Sequence, residues 1–249
     1  MQTTSDREQA VVMPNAASAQ SKKEQVAEMF NNIAGKYDLL NHLLSLGIDK
    51  TWRKKAIAVV SAIKPAAILD IATGTGDLAI AAARATDAHV TGLDIAVQML
   101  DHGRKKISEL GLDKCIAMQQ GDSEALPFEA NSFDAVMCAY GVRNFENLEA
   151  GLREMQRVMR PGGQLAILEF SSPTAFPVKQ LYGMYFKYVL PAIGRMVSKH
   201  SRAYTYLPES VQAFPDGQRF CDILTKCGFS KANARPLTLG VTTLYTATK

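Results

Sequence analysis

Apolar side chains recur at helical spacing near the start of the chain. Residues 22–30 predict an amphipathic helix whose apolar face carries Val26, Met29, Phe30 and Ile33. After a Gly-Lys-Tyr-Asp break, residues 39–46 and 52–63 predict two more helices, the second of which Lys64-Pro65 ends. Residues 22–64 are therefore expected to form a helical N-terminal cap ahead of the first strand.

Short apolar runs then alternate with helical segments. Strands are predicted at Ala67–Ala72, His89–Leu93, Cys115–Gln119, Phe133–Ala139 and Gln164–Phe170. Helices are predicted at Leu78–Ala85, Val97–Leu110 and Leu148–Met159, and Pro161-Gly162-Gly163 is predicted to turn the chain into the fifth strand. This alternation predicts an α/β, Rossmann-like fold, with a parallel sheet covered by helices on both faces.

The alternation of predicted strands and helices ends after Ser171. Residues 177–214 are aromatic and helix-prone, and they predict a helical insertion. Gln218–Cys227 predicts a helix closed by Gly228, and two β-branched segments, Ser230–Pro236 and Gly240–Thr248, would complete a mostly parallel seven-stranded sheet. Residues 22–249 are expected to form one domain behind a disordered polar tail, residues 1–21.

The composition suits one globular domain, with 47% hydrophobic residues among 249. The net charge of +4 slightly favours an anionic substrate or a membrane surface, and it falls short of a nucleic-acid footprint. The four cysteines form no C-x-x-C pair, so buried thiols in a reducing cytoplasm are expected and no metal site is. No apolar run of about 18 residues occurs, so any membrane contact would be peripheral.

A glycine-rich turn follows the first predicted strand. Gly74, Thr75 and Gly76, with Ala79 after them, satisfy the dinucleotide-binding pattern, and Asp94 ends the next strand where a ribose ligand is expected. Glycines allow close approach of the backbone, and a carboxylate accepts both ribose hydroxyls. This pattern alone leaves NAD and S-adenosylmethionine open.

Two further carboxylates favour S-adenosylmethionine. Asp70 precedes Gly74 by four residues, where it would meet a cationic amino-acid group but would repel a pyrophosphate. Asp122, with Ser123 beside it, follows the third strand and is placed to accept the adenine amino hydrogen. The alternative is that these aspartates are ordinary polar loop residues.

Several motifs resemble one family. DIATGTGDLA, GLDIAVQML, GDSEALPF, SFDAVMCAYGVRNF and RVMRPGGQLAILEF are similar to the UbiE-type quinone C-methyltransferases of menaquinone and ubiquinone biosynthesis, from about Val26 onward. YDLLNHLLSLGIDKTW resembles their N-terminal signature and matches it at Tyr37, Asp38, Asn41, Ser45 and Trp52. Leu40 replaces a usual Met, Asp49 replaces the usual His, and Arg160 stands where Lys is common.

The resemblance implies transfer of a methyl group from S-adenosylmethionine to a ring carbon of a polyprenyl quinol, with S-adenosylhomocysteine as product. Demethylmenaquinol is the expected acceptor, and the benzoquinol of ubiquinone synthesis stays open. Arg143 would stabilise the phenolate or order a water, and Asn144 would orient the same group. Tyr37 and Asp38 would close over the ring, with Asp38 as a candidate base. The alternatives are an ion pair of Arg143 with Glu146 or Glu169, and a packing role for Tyr37.

Under this interpretation the helical insertion at residues 177–214 is expected to act as a substrate lid. Tyr182, Tyr185, Phe186 and Val189 recur on one helical face and suit a groove for a polyprenyl tail. Packing on the sheet and a homodimer contact stay open. The basic residues Lys179, Lys187, Arg195, Lys199 and Arg202 suit contact with anionic lipid at the inner face of the membrane, and a solvated charged face stays open as the default alternative. The competing functions are methylation of another small phenolic or lipid substrate and an NAD(P)-binding protein.

Overall fold

The structure, a computed structural model, describes residues 12–38, 45, 47–185, 188 and 202–249. These residues contain seven strands: β1 (Ala67–Ile71), β2 (His89–Asp94), β3 (Ile116–Gln120), β4 (Phe133–Ala139), β5 (Met159–Phe170), β6 (Ser230–Leu237) and β7 (Thr242–Thr248). They form one sheet in the order β3-β2-β1-β4-β5-β7-β6. The first five strands in that order are parallel, and β7 is antiparallel to both β5 and β6. This confirms the predicted mostly parallel seven-stranded sheet.

Eight α-helices are described. They are α1 (Lys22–Ile33), α2 (Asp49–Ser61), α3 (Asp77–Ala85), α4 (Val97–Glu109), α5 (Leu148–Val158), α6 (Val178–Met184), α7 (Arg202–Ala213) and α8 (Gln218–Lys226). Helix α1 begins where the pattern places it because Ser21 and Glu24 form a capping box, each side chain bonding the backbone N–H of the other. The break after it is a 3-10 turn, Ala34–Lys36.

Helices cover both faces of the sheet. Successive residues of a strand point to opposite faces, so Ile68 packs in one apolar core and Leu69 in the other. The core around Ile68 contains Trp52 and Ile57 of α2, and the core around Leu69 contains Leu152 of α5. The carboxyl ends of the parallel strands meet at one edge, between β1 and β4, where the strand order reverses and α/β sheets bind ligands.

The structure differs from the predictions at several places. Strand β5 begins at Met159, and Pro161-Gly162-Gly163 is a bulge within it, because pairing jumps from Phe133↔Met159 to Ala135↔Gln164. The prediction of a turn before this strand was wrong. Cys115 is exposed, whereas the other three cysteines are buried as expected. In the tail predicted to be disordered, the Asn15 backbone N–H donates to Gln25 Oε1 at 2.7 Å.

Some predicted features lie outside the described residues. They include most of the predicted helix 39–46, with Leu40 and Asn41, and the centre of the 177–214 insertion, with Phe186, Lys187, Val189, Arg195 and Lys199. The two ends of the insertion are helices α6 and α7. Within the described ranges, no helix has the length and apolar character needed to cross a membrane.

Helix α4 packs closely against the loop that follows β1. A Cβ on Gly103 would lie 3.2 Å from the Thr75 backbone carbonyl and 2.5 Å from Met118 Cε. The Met118 side chain can move, but the Thr75 backbone cannot move without shifting the loop. Gly103 therefore sets how near α4 lies to the carboxyl edge of the sheet.

We expect Gly103→Ala to destabilise the protein, although alanine in a helix normally adds about 1 kcal/mol relative to glycine. Overpacking against Thr75 should lower the free energy of unfolding by about 1–3 kcal/mol. Chemical denaturation measures this change. Gly183→Ala on α6 is the matched control, because nothing lies within 4 Å of its added Cβ. Equal or higher stability of Gly103→Ala would contradict the packing argument.

Candidate active site

The loop between β1 and α3 makes a turn that only special backbone conformations allow. Ala72, Gly74 and Gly76 all have positive φ, at 53°, 58° and 81°. Glycine adopts this region without steric cost, which explains both glycines of the motif. The Thr73 N–H donates to the carbonyl of Leu93 at 3.1 Å, which joins the loop to the end of β2.

Asp94 receives two backbone hydrogen bonds at the end of β2. Gly74 N–H donates to Oδ2 at 2.8 Å, and Ala96 N–H donates to Oδ1 at 2.9 Å. Burial raises the pKa of this carboxyl, while the backbone hydrogen bonds oppose the rise. The carboxylate therefore positions the glycine turn and lines the cavity beside it.

Asp70 is buried at the end of β1. Thr73 Oγ1 donates to its Oδ2 at 2.6 Å. Its Oδ1 has no hydrogen-bond partner among the residues that the structure describes. Burial raises the pKa of Asp70 to about 7, and the Thr73 hydrogen bond and the Arg53 charge oppose that rise. A buried carboxylate oxygen without a donor suits a cationic ligand group.

A cavity of about 70 Å³ brings most of the predicted cofactor residues together. Gly74, Asp94, Asp122 and Ser123 line it. Asp70 and Thr75 line the larger cavity next to it, to which Gly74 also belongs. Gly76 lines neither cavity and instead shapes the turn before α3. The carboxylates therefore extend from the end of β1 to the end of β3. This arrangement fits a ligand with a cationic end and a ribose.

Helix α1 is held across this first cavity by two lysines that no sequence pattern marks. Lys23 Nζ lies 2.5 Å from Asp122 Oδ2. The buried Lys22 donates to the carbonyls of Arg143 and Phe145 at 3.1 and 2.8 Å. Burial, with a further contribution from the Arg143 charge, lowers the pKa of Lys22 to about 8. Helix α1 is therefore joined to both the β3 and the β4 ends of the sheet.

The second cavity has a volume of about 340 Å³ and a mostly apolar wall that includes eight aromatic residues. Its aromatic residues are Phe30, Tyr37, Trp52, Tyr140, Phe170, Tyr182, Tyr185 and Tyr206. The two cavities share six lining residues: Phe30, Tyr37, Ala72, Gly74, Ala139 and Tyr140. A flat apolar ring in the second cavity would therefore lie beside a ligand held in the first.

Arg143 forms one of the ion pairs considered from the sequence. Its Nη1 lies 2.8 Å from Glu169 Oε1 and also donates to the carbonyl of Tyr140. Burial raises the pKa of Glu169, and the guanidinium opposes that rise. Arg143 also lines the second cavity, and in the described part of the chain its Nε has no partner. The residue thus has a structural contact and a free donor at the same site.

The other predicted catalytic residues lie in different surroundings. Tyr37 lines both cavities and packs edge-on against Phe30, with ring centroids 5.9 Å apart. Asn144 lines the first cavity, and its Oδ1 accepts from Tyr206 Oη at 3.2 Å. Asp38 is not among the lining residues described for either cavity.

Asp38 instead belongs to a chain of ion pairs around the glycine turn. Thr75 Oγ1 donates to its Oδ1 at 2.5 Å, and Lys106 lies 2.6 Å from its Oδ2. Lys106 also lies 2.7 Å from Asp77 Oδ1, and Asp77 Oδ2 lies 3.1 Å from Arg53. No local sequence signal marks Lys106, because a lysine on an amphipathic helix is usually solvated.

Arg53 continues this chain into the cap. Its Nη1 lies 2.6 Å from Oδ2 of the buried Asp49, and Asp49 Oδ1 accepts from Ser45 Oγ at 2.6 Å. Asp49 thus has a structural partner at the position where it departs from the family signature. Trp52 of the same signature donates from Nε1 to Thr238 Oγ1 at 2.8 Å, which joins α2 to the turn between β6 and β7.

Solved structures share this architecture. Phosphoethanolamine N-methyltransferase 2 of Haemonchus contortus, in complex with S-adenosyl-L-methionine, has a TM-score of 0.58 at 16% identity, covering 79% of this chain and 52% of that one. The cyclase SpnF has a TM-score of 0.59 at 16% identity, covering 93% and 97%. At such identities the likeness shows the fold alone.

Curated relatives are much more similar in sequence. The demethylmenaquinone methyltransferase of Bacteroides fragilis is 47% identical over 229 residues, 92% of this chain and 94% of the relative. The ubiquinone/menaquinone biosynthesis C-methyltransferase UbiE of Geotalea daltonii is 43% identical over 230 residues, 92% and 97%.

The model of the ubiE/COQ5 methyltransferase family matches residues 18–249, from α1 through the β6–β7 hairpin. This match decides between the two cofactor classes that the glycine turn alone left open. The chain therefore belongs to the ubiE/COQ5 methyltransferase family and is an S-adenosylmethionine-dependent methyltransferase.

Proposed function

We propose that the protein methylates a ring carbon of a polyprenyl quinol, converting demethylmenaquinol to menaquinol. The observation that carries this proposal is the aromatic cavity of about 340 Å³, which contains Arg143 and shares Gly74 with the cofactor turn. The names of the Bacteroides fragilis and Geotalea daltonii relatives support the same acceptor class. A reduced demethylnaphthoquinol incubated with the protein and S-adenosylmethionine should give the methylated product, detected by mass spectrometry. Absence of product from both naphthoquinol and benzoquinol acceptors would overturn the proposal.

The residues at the carboxyl edge of the sheet would hold the methyl donor. We assign the ribose hydroxyls to Asp94, the adenine end to Asp122 and Ser123, and the ammonium to Asp70. Gly74, Thr75 and Gly76 form the turn that lets the backbone approach the ligand. When bound, S-adenosylmethionine supplies a methyl group already activated on a positively charged sulfur. The chain's remaining tasks are to align the acceptor and to raise the electron density of its ring.

Arg143 is the residue that we assign to the second task. A phenol has a pKa near 10, so its hydroxyl is almost fully protonated at pH 7. A permanently charged guanidinium beside the ring oxygen favours loss of that proton to water, and the resulting phenolate increases the electron density of the ring carbon next to it. The Glu169 carboxylate holds Nη1, which leaves the Nε–H of Arg143 to donate to the acceptor.

The other three residues have positioning roles in this proposal. Tyr37 forms the wall common to both cavities and would contact the acceptor ring. Asn144 holds Tyr206, which lines the acceptor cavity. The hydrogen bonds of Asp38 to Thr75 and Lys106 favour a role in holding the cap on the glycine turn over the role of a base.

The cavity wall also supports a membrane-docking surface. Tyr182 and Tyr185 line the cavity, while Leu181 and Met184 on the same segment are 57% and 52% exposed. Two exposed side chains close to this segment in sequence are Phe176, which is 81% exposed, and Tyr188, which is 61% exposed. Leu239, in the β6–β7 turn, is 76% exposed. We propose that this surface rests on the lipid bilayer, because a polyprenyl tail partitions there and must pass into the cavity.

Arg143→Gln should lower kcat by about 10²–10³-fold, the usual effect of removing one donor to a developing oxyanion. The affinity for S-adenosylhomocysteine should change little. The remaining activity should rise further towards pH 10 than that of the wild type, because the acceptor hydroxyl has lost the charge that favours its ionisation. Steady-state rates over a pH series measure both effects.

The double variant Arg143→Gln/Glu169→Gln separates catalysis from stability, because it leaves no buried carboxylate unpaired. It should fold as stably as the wild type or nearly so and remain as slow as the single variant. Recovery of activity in the double variant would show that Arg143 acts only through its ion pair.

The affinity for S-adenosylhomocysteine should rise with pH up to about 7. Asp70 has a pKa of about 7, so it is increasingly protonated below that value and cannot pair with the ligand ammonium. The α-amino group of the ligand stays mostly protonated up to about pH 7.5. Calorimetry between pH 5.5 and 7.5 should show this dependence, and Asp70→Asn should remove it. An equally steep dependence in the variant would assign the titration to another group.

Leu181→Glu/Met184→Glu should weaken binding to vesicles of phosphatidylglycerol and phosphatidylcholine by at least about tenfold, because two apolar side chains no longer enter the bilayer. Cosedimentation measures the bound fraction. Methylation of a short-chain, detergent-soluble quinol should continue. Leu110→Glu is the matched control, since Leu110 is 42% exposed and lies away from the cavity. Wild-type vesicle binding by the double variant would refute the docking surface.

A further inference from the structure

Two residues that line the same cavity each have a buried polar atom without a hydrogen-bond partner among the residues described by the structure, and the two atoms are of opposite character. They are Oδ1 of Asp70, an acceptor, and Nε of Arg53, a donor. Both residues line the larger cavity, together with Thr73 and Thr75 of the turn. A buried polar atom without a partner costs free energy, so a pair of them on one cavity indicates a ligand that satisfies both.

The side chain of Arg53 is held for such a contact. Its Nη1 is fixed between Asp49 at 2.6 Å and Asp77 at 3.1 Å, and the side chain is only 11% exposed. These two carboxylates hold one edge of the guanidinium and leave the Nε–H on a different edge. The charge of Arg53 also acts on Asp70, where it opposes the rise in the carboxyl pKa. The two side chains are therefore electrostatic neighbours.

An α-amino acid group has the complementary charges. Its ammonium is a donor that suits Asp70, and its carboxylate is an acceptor that suits a guanidinium N–H. We infer that Arg53 binds the α-carboxylate of the methionine part of the methyl donor, opposite the ammonium at Asp70. This inference rests on the methyl-donor site and is independent of the identity of the acceptor.

Asp49 and Asp77 hold the Arg53 side chain in place before the ligand binds. The arginine side chain has several rotatable bonds, so fixing its conformation when a ligand binds would cost free energy. Because the two aspartates already hold Nη1, the cost is met when the chain folds and not when the ligand binds. Arg53 is thus a binding residue, and Asp49 and Asp77 are positioning residues.

The test combines a change in the residue with a change in the ligand. Calorimetry compares S-adenosylhomocysteine with its decarboxylated analogue, 5′-S-(3-aminopropyl)-5′-thioadenosine, on the full chain without any acceptor. The wild type should prefer S-adenosylhomocysteine by roughly 10- to 100-fold, the range for one charge-assisted hydrogen bond. Arg53→Gln should bind the two ligands with nearly equal affinity, because the partner of the carboxylate is gone.

Three controls make the outcome specific. Arg104→Gln changes a half-exposed arginine of α4 and should keep the wild-type preference. Asp70→Asn should weaken both ligands, which share the ammonium, and should also keep the preference for the carboxylate. Arg53→Lys retains the charge without Nε and should retain part of the preference, which serves as a second variant if Arg53→Gln does not fold.

A purely structural role for Arg53 has a different signature. Both ligands would then weaken by the same factor in Arg53→Gln, and the preference between them would equal that of the wild type. Equal affinity of the wild type for the two ligands would overturn the inference as well, whatever the variants do. Because no quinol is present, neither result depends on whether the protein methylates demethylmenaquinol.

Discussion

One chain of ion pairs holds the two halves of the site together. It runs from Asp38 through Lys106 and Asp77 to Arg53 and Asp49, and so it joins the cap to helices α3 and α4 around the glycine turn. An isolated exposed ion pair contributes only about 0–1 kcal/mol. These pairs share atoms and are partly buried, so loss of a central charge such as Lys106 removes a partner from two neighbours at once. The position of Tyr37 over both cavities depends on this network, because Asp38 follows it directly.

Local patterns were sufficient to predict most of the fold. The β1–turn–α3 unit depends on positive φ at Gly74 and Gly76. Because glycine adopts this conformation without steric cost, the two glycines mark the turn in the sequence. The bulge at Pro161-Gly162-Gly163 was not predicted because the same three residues also suit a turn. What distinguishes the two is the pairing of β5 with β4, a contact between residues distant along the chain.

Local sequence patterns predicted only those residues of the candidate site that lie at or just after the ends of strands. Asp70, Asp94 and Asp122 each end a strand or follow one, and parallel topology brings such positions together. Arg53, Lys22, Lys23 and Lys106 are ordinary basic residues on helices, and nothing in their spacing shows which way they point. The two interpretations of Arg143 are both compatible with the structure, because its guanidinium holds Glu169 through Nη1 while Nε has no partner among the described residues.

The hydrogen bond from Trp52 to Thr238 joins residues that are 186 positions apart. Thr238 and Val241 line the larger cavity, and β7, which follows them in the chain, pairs with β5 in the sheet. The aromatic wall of the cavity therefore stays incomplete until α2 has met the β6–β7 hairpin. Contacts of such long range also slow folding. Partly folded chains in which this contact has not formed expose the aromatic side chains of the cavity, and such exposed apolar surface favours aggregation.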